Sequence, residues 1–411
     1  MTSSNNSVSL SQKGVANVGK NTRSMLDESI SLPAAVLYQP RLTQNLNWMQ
    51  SFAEQQGVKL APHGKTTMAP ALFRQQQAQG AWGQTVASAQ QASTAKDAGI
   101  HRIIMANQLV GRANMQIISE LIADTEVDFH CLVDNALNAK ALSQFYADAG
   151  QSLNVMIEIG VPGGRCGCRS QEQALELSAL IARLPALKLS GIETYEGVIG
   201  GPDAPSKIHQ HLQSVLTTAE AVHAAGYFAE PKAVITGAGS AWYDLVSDVF
   251  GKADPDKFIP VIRPGCYLIH DQGIYLEAQN KVRERLGDSC AVEGDLESAL
   301  EVWSYVQSLP EEGLAIVALG KRDCAFDAGL PQPSLHFRPG TGVPKPAPSQ
   351  WQVFHIMDQH AAMKIPPHCD LQVGDILAFS TSHPCLTFDK WRQVHIIDEQ
   401  YQLLDTIDTC F

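Results

Sequence analysis

The sequence predicts an α/β protein, in which a (β/α)8 barrel of the TIM type precedes a smaller C-terminal β-rich domain. From about Pro33 to about His270, short apolar runs alternate with segments whose apolar residues recur three and four apart, as on an amphipathic helix. After about Asp271 this spacing fades, and strand-like pieces are separated by turns rich in proline and glycine. The chain has 411 residues, 45% of them hydrophobic and 18% charged, so it can bury a large core.

The apolar runs of the first part are predicted to be the buried parallel strands of the barrel. Roughly eight strand–helix units over about 240 residues match the usual size of this fold. A doubly wound open sheet is the competing architecture, but the glycine-rich dinucleotide fingerprint that often follows its first strand is missing after PAAVLYQ. The runs are PAAVLYQ, VKLAPHG, QTVASA, RIIMANQ, VDFHCLVD, LNVMIEIG, LKLSGIETYEG, KAVITGAG and FIPVIRPG.

Three regions follow from this pattern. Residues 1–29 are polar and lack the apolar centre of a signal peptide, which predicts a flexible N-terminal tail. Residues 30–270 form the predicted barrel, and residues 271–411 form the β-rich domain. The strand-like pieces of the last region include LAIVALG, WQVFHIM, DILAFS and RQVHIID.

Charge and cysteine content exclude several classes of function. The formal net charge is -12 and the pI is near 5.5, which argues against a nucleic-acid or membrane-surface binder, although one pocket can still be positive. No apolar run reaches the length of a membrane span. The nine cysteines are scattered, which fits reduced thiols better than a disulfide framework. We therefore expect a cytoplasmic protein that acts on a small molecule.

Polar residues follow many of the predicted barrel strands, at the end where barrel enzymes build their active sites. The second run is followed by His63 and Lys65. A lysine in this place is either a solvated side chain or a nucleophile at the mouth of the barrel. The polar residues after the other runs are Ser88, Asn107, Arg165, Glu193, Tyr195, Glu196 and Arg263. A barrel with a purely structural role would not need polar groups gathered at one end.

The segment ITGAGSAWYD is the clearest candidate for a phosphate site. Gly237, Ala238, Gly239 and Ser240 lie between a predicted strand and a predicted helix. Small residues let backbone N–H groups approach an anion, and the start of a helix favours negative charge. Barrels often bind phosphate after strands seven and eight, where this loop falls. The alternative is a tight turn with a helix cap.

A metal pair is predicted in the second domain, in the segment HPCLTFDKW. His383 and Cys385 are two residues apart, so on a strand they would point to the same side, and imidazole and thiolate are good zinc ligands. Two protein ligands leave open positions, which suit a catalytic metal. Burial of both side chains in the core is the alternative. Other candidates upstream are His360, and His368 with Cys369, which we rank below the HPC pair.

The order of these motifs resembles one enzyme family. PHGKTTMAP, GGRCG, the Gly/Ser loop, RPGCY and SHPCLTFD follow one another as in the fold-type III pyridoxal-phosphate enzymes, within the D-serine dehydratase and D-threonine aldolase group related to alanine racemase. The resemblance covers about residue 30 to the end. The chain departs from the group's EHG motif at Gln359, His360 and Ala361.

The resemblance implies a role for each candidate residue. Lys65 would carry pyridoxal phosphate and remove the substrate's Cα proton, and Arg165 would lie near the cofactor ring or the substrate carboxylate. Tyr195 would pack against the ring. The resemblance further implies that Gly237, Gly239 and Ser240 hold the phosphate and that His383 and Cys385 bind zinc or another divalent metal. It leaves the roles of His63, His360 and Arg263 open.

The resemblance also implies an activity. The expected enzyme is a zinc-assisted dehydratase that converts a β-hydroxy-D-amino acid such as D-serine into a 2-oxo acid and ammonia. Cys385 favours dehydration, because aldolases of the group can carry a carboxylate in the metal-ligand pair. The alternatives are a D-threonine-type aldolase, an amino-acid racemase and a non-catalytic pyridoxal-phosphate carrier. A homodimer is implied, in which the partner subunit contributes the second domain to the site.

Overall fold

The computed structural model of the protein describes residues 24–237, 239–287 and 291–411. Contacts between residues divide the chain into two compact units. The barrel unit contains residues 44–268 and 275–296. The β-rich unit contains the described residues up to 43, residues 269–274 and residues 297–411. In the three described ranges, no helix combines the length and the apolar character needed to cross a lipid bilayer.

The first strand, β1 (Ala34–Tyr38), lies in the β-rich unit, so its prediction as the first barrel strand is wrong. It pairs antiparallel with residues 300–303 and parallel with residues 395–397. All five of its residues are buried, as they would be in a barrel strand, so the apolar pattern alone does not identify the sheet. The limits 30–270 and 271–411 stay a prediction. Most of the predicted tail, residues 1–23, lies outside the described residues.

The predicted barrel is confirmed. A bridge between His63 and Thr85 joins the two ends of an eight-stranded parallel sheet and closes it. The strands are β2 (Lys59–Leu60), β3 (Gln84–Val86), β4 (Arg102–Gln108), β5 (Asp128–Val133), β6 (Leu153–Ile159), β7 (Leu187–Thr194), β8 (Ala233–Gly237) and β9 (Phe258–Ile262). Their order around the barrel is β2-β9-β8-β7-β6-β5-β4-β3.

Helices alternate with these strands, and three of them begin at a capping side chain. Ser88, Asn135 and Ser170 each accept a hydrogen bond from a backbone N–H group three residues later, which satisfies one donor at the helix start. The helices are α1 (Gln39–Gln55), α2 (Pro70–Ala78), α3 (Ala89–Asp97), α4 (Arg112–Ile122), α5 (Ala136–Asp148), α6 (Gln171–Ile181), α7 (Ala204–Ala224), α8 (Tyr243–Phe250) and α9 (Ile274–Leu286).

The barrel interior holds an apolar layer that determines where the polar residues lie. The layer combines one residue from each of five strands with the residue that follows β2: Ala61, Ile104, Leu132, Met156, Val234 and Val261. Side chains along a strand alternate between the inside and the outside of a barrel, so a residue two positions later points inside again. On β6 and β8, and directly after β9, these next inward residues are Glu158, Thr236 and Arg263. The apolar layer therefore lies below a polar one at the carboxyl ends of the strands.

The β-rich unit is a mixed ten-stranded sheet, so the prediction of a β-rich domain is confirmed. Its main path is β13-β12-β16-β10-β1-β17-β18, and β11, β15 and β14 extend it beside β10. Met25, Tyr38 and Trp303 are among the side chains in its core. The further elements are β10 (Leu300–Glu311), β11 (Leu314–Val317), β12 (Gln332–Phe337), β13 (Lys345–Pro346), β14 (Gln352–Ile356), β15 (Ala361–Lys364), β16 (Ile376–Ser380), α10 (Cys385–Phe388), β17 (Gln393–Ile397) and β18 (Leu403–Asp408).

Candidate active site

Lys65 lies in a 3-10 turn, Gly64–Thr66, that follows β2, and its side chain is exposed. The turn needs glycine at position 64, because a Cβ atom there would come within 2.8 Å of the Phe73 ring. Gly265 packs closely against His63, the residue before this turn, since a Cβ atom on Gly265 would lie 2.8 Å from the carbonyl oxygen of His63. Packing of two glycines therefore fixes the turn that presents Lys65 at the carboxyl end of the barrel.

Arg165 lies in a glycine-rich loop that folds back on the end of β6. The N–H of Gly160 donates to the carbonyl of Cys168 at 2.9 Å, and the N–H of Cys168 donates to the carbonyl of Glu158 at 2.7 Å. The guanidinium of Arg169 donates to the carbonyl of Arg165 at 2.7 Å. These bonds explain why an exposed arginine on a loop has a defined position.

Arg165 and Tyr195 meet at the ends of β6 and β7. The guanidinium carbon of Arg165 lies 4.4 Å from the centre of the Tyr195 ring, within the range of a cation–π interaction. Burial, followed by the negative charge of Glu196, raises the pKa of Tyr195 above its ordinary value of 10.0. The phenol is therefore neutral at physiological pH and offers an aromatic face and one O–H donor.

A buried ion pair joins Glu193 on β7 to Arg263 after β9. Their side chains are both 1% exposed and in direct contact, and Arg263 also donates to the hydroxyl of Thr236 at 2.9 Å. The second carboxylate oxygen of Glu193 is buried and has no hydrogen-bond partner among the described residues. A buried acceptor without a hydrogen-bond partner destabilises the folded protein. A hydrogen-bond donor on a bound ligand could satisfy this oxygen. Arg263, whose role the sequence left open, thus neutralises Glu193.

His63 is held neutral. Burial lowers its pKa well below the ordinary value of 6.5, and the positive charges of Lys65, Arg263 and Arg165 lower it further. Its Nδ1 atom is buried without a hydrogen-bond partner in the described part of the chain. A neutral imidazole beside three cations can accept or donate one hydrogen bond without adding charge.

Glu158 belongs to none of the sequence motifs, although it lies two residues beyond Met156 of the apolar layer. It is 3% exposed and accepts a hydrogen bond from the amide of Gln108 at 2.5 Å. Burial, followed by the charge of Glu193 on the neighbouring strand, raises the pKa of Glu158 from 4.5 to about 7. Glu193, which lies at the same register on β7, also has a pKa raised by burial, although the guanidinium of Arg263 counteracts that rise, whereas Glu158 faces only an amide. The alternation from the apolar layer was the signal that could have found Glu158.

We expect Glu158→Gln to be more stable than the wild type at about pH 8 and equally stable at low pH. A raised pKa means that Glu158 contributes stability below its ordinary pKa of 4.5 and loses it as the pH rises through about 7. The full loss corresponds to about 3 kcal/mol, and glutamine, which stays neutral, avoids it. Urea unfolding of both proteins across this pH range measures the difference. A variant that is less stable than the wild type above neutral pH would contradict the expectation.

The Gly/Ser loop has the small residues and the following helix that an anion site uses, although Ala238 lies outside the described residues. Gly237 packs on α8, since a Cβ atom there would come within 2.8 Å of Val246. Gly239 has φ +74°, a conformation that favours glycine. The hydroxyl oxygen of Ser240 accepts the N–H of Gly265 at 3.2 Å, which ties the loop to the segment after β9. Small residues, a helix start and a nearby lysine are what a phosphorylated aldehyde cofactor requires.

In the β-rich unit, His383 and Cys385 are in contact, but not on a strand as predicted. Pro384 caps the short helix α10, so His383 precedes the helix and Cys385 opens it. The hydrogen bond with Cys385 raises the pKa of His383 to about 9, with a further contribution from Asp327. Asp327 accepts a hydrogen bond from Nδ1 of His383 at 2.8 Å. The two side chains therefore meet because the chain turns at Pro384, and not because they lie on the same side of a strand.

This donor set fits a zinc ion with open coordination positions. A carboxylate that holds one imidazole nitrogen leaves the other directed at a metal, a common arrangement at zinc sites. In the described ranges, no group of three or more His, Cys, Asp and Glu side chains is placed to hold a metal ion. His368 pairs instead with Glu312 at 3.3 Å on the surface.

Comparison with known proteins agrees with this division into two units. A sequence model of the alanine racemase N-terminal domain matches residues 39–269, and a model of the putative serine dehydratase domain matches residues 299–397. The D-threonine aldolase of an Arthrobacter species is 25% identical over 378 residues, which cover 88% of this chain and 87% of that enzyme.

Two solved structures share the fold. The D-threonine aldolase from Filomicrobium marinum has a TM-score of 0.75 and 22% identity, covering 93% of this chain and 95% of that chain. The D-threo-3-hydroxyaspartate dehydratase from Delftia sp. HT23 has a TM-score of 0.72 and 21% identity, covering 92% of this chain and 97% of that chain. A cysteine-to-alanine mutant of a D-threo-3-hydroxyaspartate dehydratase has been solved in a metal-free form.

Proposed function

The chain belongs to the family of the alanine racemase N-terminal domain, the fold-type III pyridoxal-phosphate enzymes, and from this premise we propose that it is a lyase of β-hydroxy-D-amino acids. The proposed reaction is dehydration of the substrate to a 2-oxo acid and ammonia. One observation carries the proposal: the chain combines a lysine at the barrel mouth with a His–Cys pair in the β-rich unit. A racemase or a carrier protein has no use for the metal pair.

The barrel residues divide the work at the cofactor. When bound, pyridoxal phosphate supplies an electron sink for the electron pair left on the substrate's α-carbon. Lys65 would hold the cofactor through Nζ and afterwards accept the α-proton on the same atom. Gly237, Gly239 and Ser240 would hold the phosphate. Tyr195 offers an aromatic face to the ring, with Arg165 against it.

The β-rich unit would assist departure of the substrate's hydroxyl group. Hydroxide is a poor leaving group, and a zinc ion supplies a Lewis acid for it. His383 and Cys385 would hold that ion, and Asp327 keeps the imidazole of His383 in one orientation. A D-threo-3-hydroxyaspartate dehydratase with a similar fold has been solved in a form described as metal-free, which supports testing this chain for a metal.

An aldolase is the second candidate, because the Arthrobacter relative is a D-threonine aldolase. Cleavage between Cα and Cβ would use the same cofactor lysine and would also need a group that handles the β-hydroxyl. The cysteine in the metal pair favours dehydration. The two reactions differ in products, since dehydration releases ammonia and a 2-oxo acid whereas cleavage releases glycine and an aldehyde.

A panel of substrates tests the proposal. The purified protein, supplied with pyridoxal phosphate and zinc, is incubated with D-serine, D-threonine and D-threo-3-hydroxyaspartate, and with their L-enantiomers as controls. We expect ammonia and a 2-oxo acid from at least one D-substrate, and neither from the L-forms. Glycine with no ammonia would replace the dehydratase by the aldolase. A protein that attaches the cofactor at Lys65 but releases neither product would contradict both.

Removal of the carboxylate behind His383 is expected to weaken metal binding. In Asp327→Ala the imidazole loses the partner that fixes its orientation, so we expect the zinc affinity to fall by about 10- to 100-fold. Zinc content after dialysis against a calibrated chelator measures the change. Asp327→Asn, whose side-chain oxygen can still accept the hydrogen bond, should retain more affinity. Glu312→Ala removes the carboxylate beside His368 and serves as the control; an equal loss there would contradict a specific role of Asp327.

A further inference from the structure

The carboxylate of Glu196 occupies the Gly/Ser loop. Glu196 opens a 3-10 turn, Glu196–Val198, directly after Tyr195, and it is 1% exposed. Its Oε1 atom accepts a hydrogen bond from the backbone N–H of Gly239 at 2.7 Å, across 43 residues of sequence. This N–H belongs to the loop that would hold a phosphate group. A side-chain anion is therefore bound where a ligand anion is expected.

A second donor near the same loop is also satisfied from within the protein. The N–H of Gly265 donates to the hydroxyl oxygen of Ser240 at 3.2 Å. Gly265 cannot move away easily, because it is packed against the turn that carries Lys65. The N–H of Gly239 therefore has an acceptor in Glu196, and the hydroxyl oxygen of Ser240 serves the N–H of Gly265.

A phosphate group and the Glu196 carboxylate compete for one donor. A backbone N–H group makes one good hydrogen bond, and the bond to a charged acceptor is worth more than a neutral one. Two anions at hydrogen-bonding distance from the same atom repel each other, and the repulsion is strong at a buried site. Binding of phosphate must therefore break the bond between Glu196 and Gly239 or overcome the charge beside it.

We propose that, in the cofactor-free protein, the Glu196 carboxylate occupies the place in the Gly/Ser loop where the cofactor's phosphate group would bind. A phosphate monoester displaces this carboxylate when it binds. The inference rests on the proposed function, because only that function identifies the Gly/Ser loop as the place where the cofactor's phosphate group binds. It makes Glu196 a positioning residue that limits how tightly the cofactor binds. The opposite possibility is that the carboxylate only shapes the loop, in which case its charge aids phosphate binding or is irrelevant to it.

The test compares binding of inorganic phosphate to the wild type and to Glu196→Gln, measured by phosphorus NMR titration of the cofactor-free protein. Glutamine has the same shape and no charge, so we expect phosphate to bind at least about tenfold more tightly to the variant. The control is Asp203→Asn, which removes one exposed negative charge seven residues after Glu196 in the sequence. It should leave the affinity within about twofold of the wild type.

A second pair of ligands separates this inference from the proposed function. Pyridoxal phosphate should bind more tightly to Glu196→Gln by a similar factor, whereas pyridoxal, which lacks the phosphate group, should not. Tighter binding of phosphate with no attachment of pyridoxal phosphate to Lys65 would support the role of Glu196 and overturn the proposed function. Unchanged or weaker phosphate binding in Glu196→Gln would overturn the role of Glu196, whether or not the cofactor binds.

A second variant, Glu196→Asp, tests the inference even if Glu196→Gln does not fold. Aspartate keeps the charge but is one methylene shorter, so its carboxylate cannot reach the N–H of Gly239 without movement of the backbone. We expect phosphate to bind more tightly than to the wild type and less tightly than to Glu196→Gln. If only the aspartate variant folds, as judged by circular dichroism, weaker binding to it than to the wild type would overturn the inference.

Discussion

Replacement of Lys65 by alanine is expected to abolish covalent attachment of pyridoxal phosphate and to lower turnover by at least about 10³-fold. The lysine amine has two tasks in the proposed reaction, since it holds the cofactor and then accepts the substrate's α-proton. An alanine can do neither. The visible absorbance of the lysine–cofactor bond measures the first task, and release of ammonia and 2-oxo acid measures the second. Borohydride reduction followed by peptide mass spectrometry identifies the attachment site.

Lys59→Ala provides a matched control. Lys59 is an exposed lysine at the start of β2, the strand that leads into the Lys65 turn. Its loss changes the net charge equally and should alter neither the absorbance nor the turnover. A Lys65→Ala protein that keeps substantial activity, or a wild type labelled at a different lysine, would overturn the assignment of Lys65.

The barrel could be predicted from sequence because its signals are local. Each strand is a short apolar run, each helix is an amphipathic segment, and caps such as Ser88 and Ser170 lie where helices begin. The assignment of β1 failed for a physical reason. A fully buried strand has the same composition in either sheet, and only pairing over more than 260 residues, with β10 and β17, decides its place.

The candidate site was predictable in part. Residues directly after a strand, such as Lys65 and Tyr195, follow from the rule that barrel sites lie at the carboxyl ends of strands. The partners of those residues did not follow, because hydrogen bonds such as that from Gly239 to Glu196 join loops that are distant in sequence. Glu158 was missed because its run looks wholly apolar around it, and only the register of the barrel shows that the side chain points inside.

The metal pair shows how a correct residue choice can rest on the wrong local geometry. Strand alternation suggested that His383 and Cys385 point the same way, whereas the chain turns at Pro384 and begins α10. The short separation brings the two side chains together in either conformation. The sequence had no means to identify Asp327, which is 56 residues away and holds the imidazole of His383.

Loss of either metal ligand is expected to stop dehydration without removing the cofactor. His383→Ala and Cys385→Ser should each lower zinc content to the level of a metal-free sample and reduce turnover by at least about 100-fold, because the hydroxyl group would leave without a Lewis acid. The absorbance of the cofactor bound to Lys65 should persist, since the residues proposed to hold it lie in the barrel unit. Treatment of the wild type with a chelator should give the same combination.

The neighbouring pair His368 and Cys369 offers the control for this prediction. It has the same residue types in the same unit, but His368 is exposed and pairs with Glu312. His368→Ala and Cys369→Ser should therefore retain zinc and activity. Full turnover of a metal-free wild type would show that the metal does not act on the leaving group. Retention of zinc by both His383→Ala and Cys385→Ser, with loss in the His368 and Cys369 variants, would move the metal site to the second pair and leave the lysine chemistry of the barrel untouched.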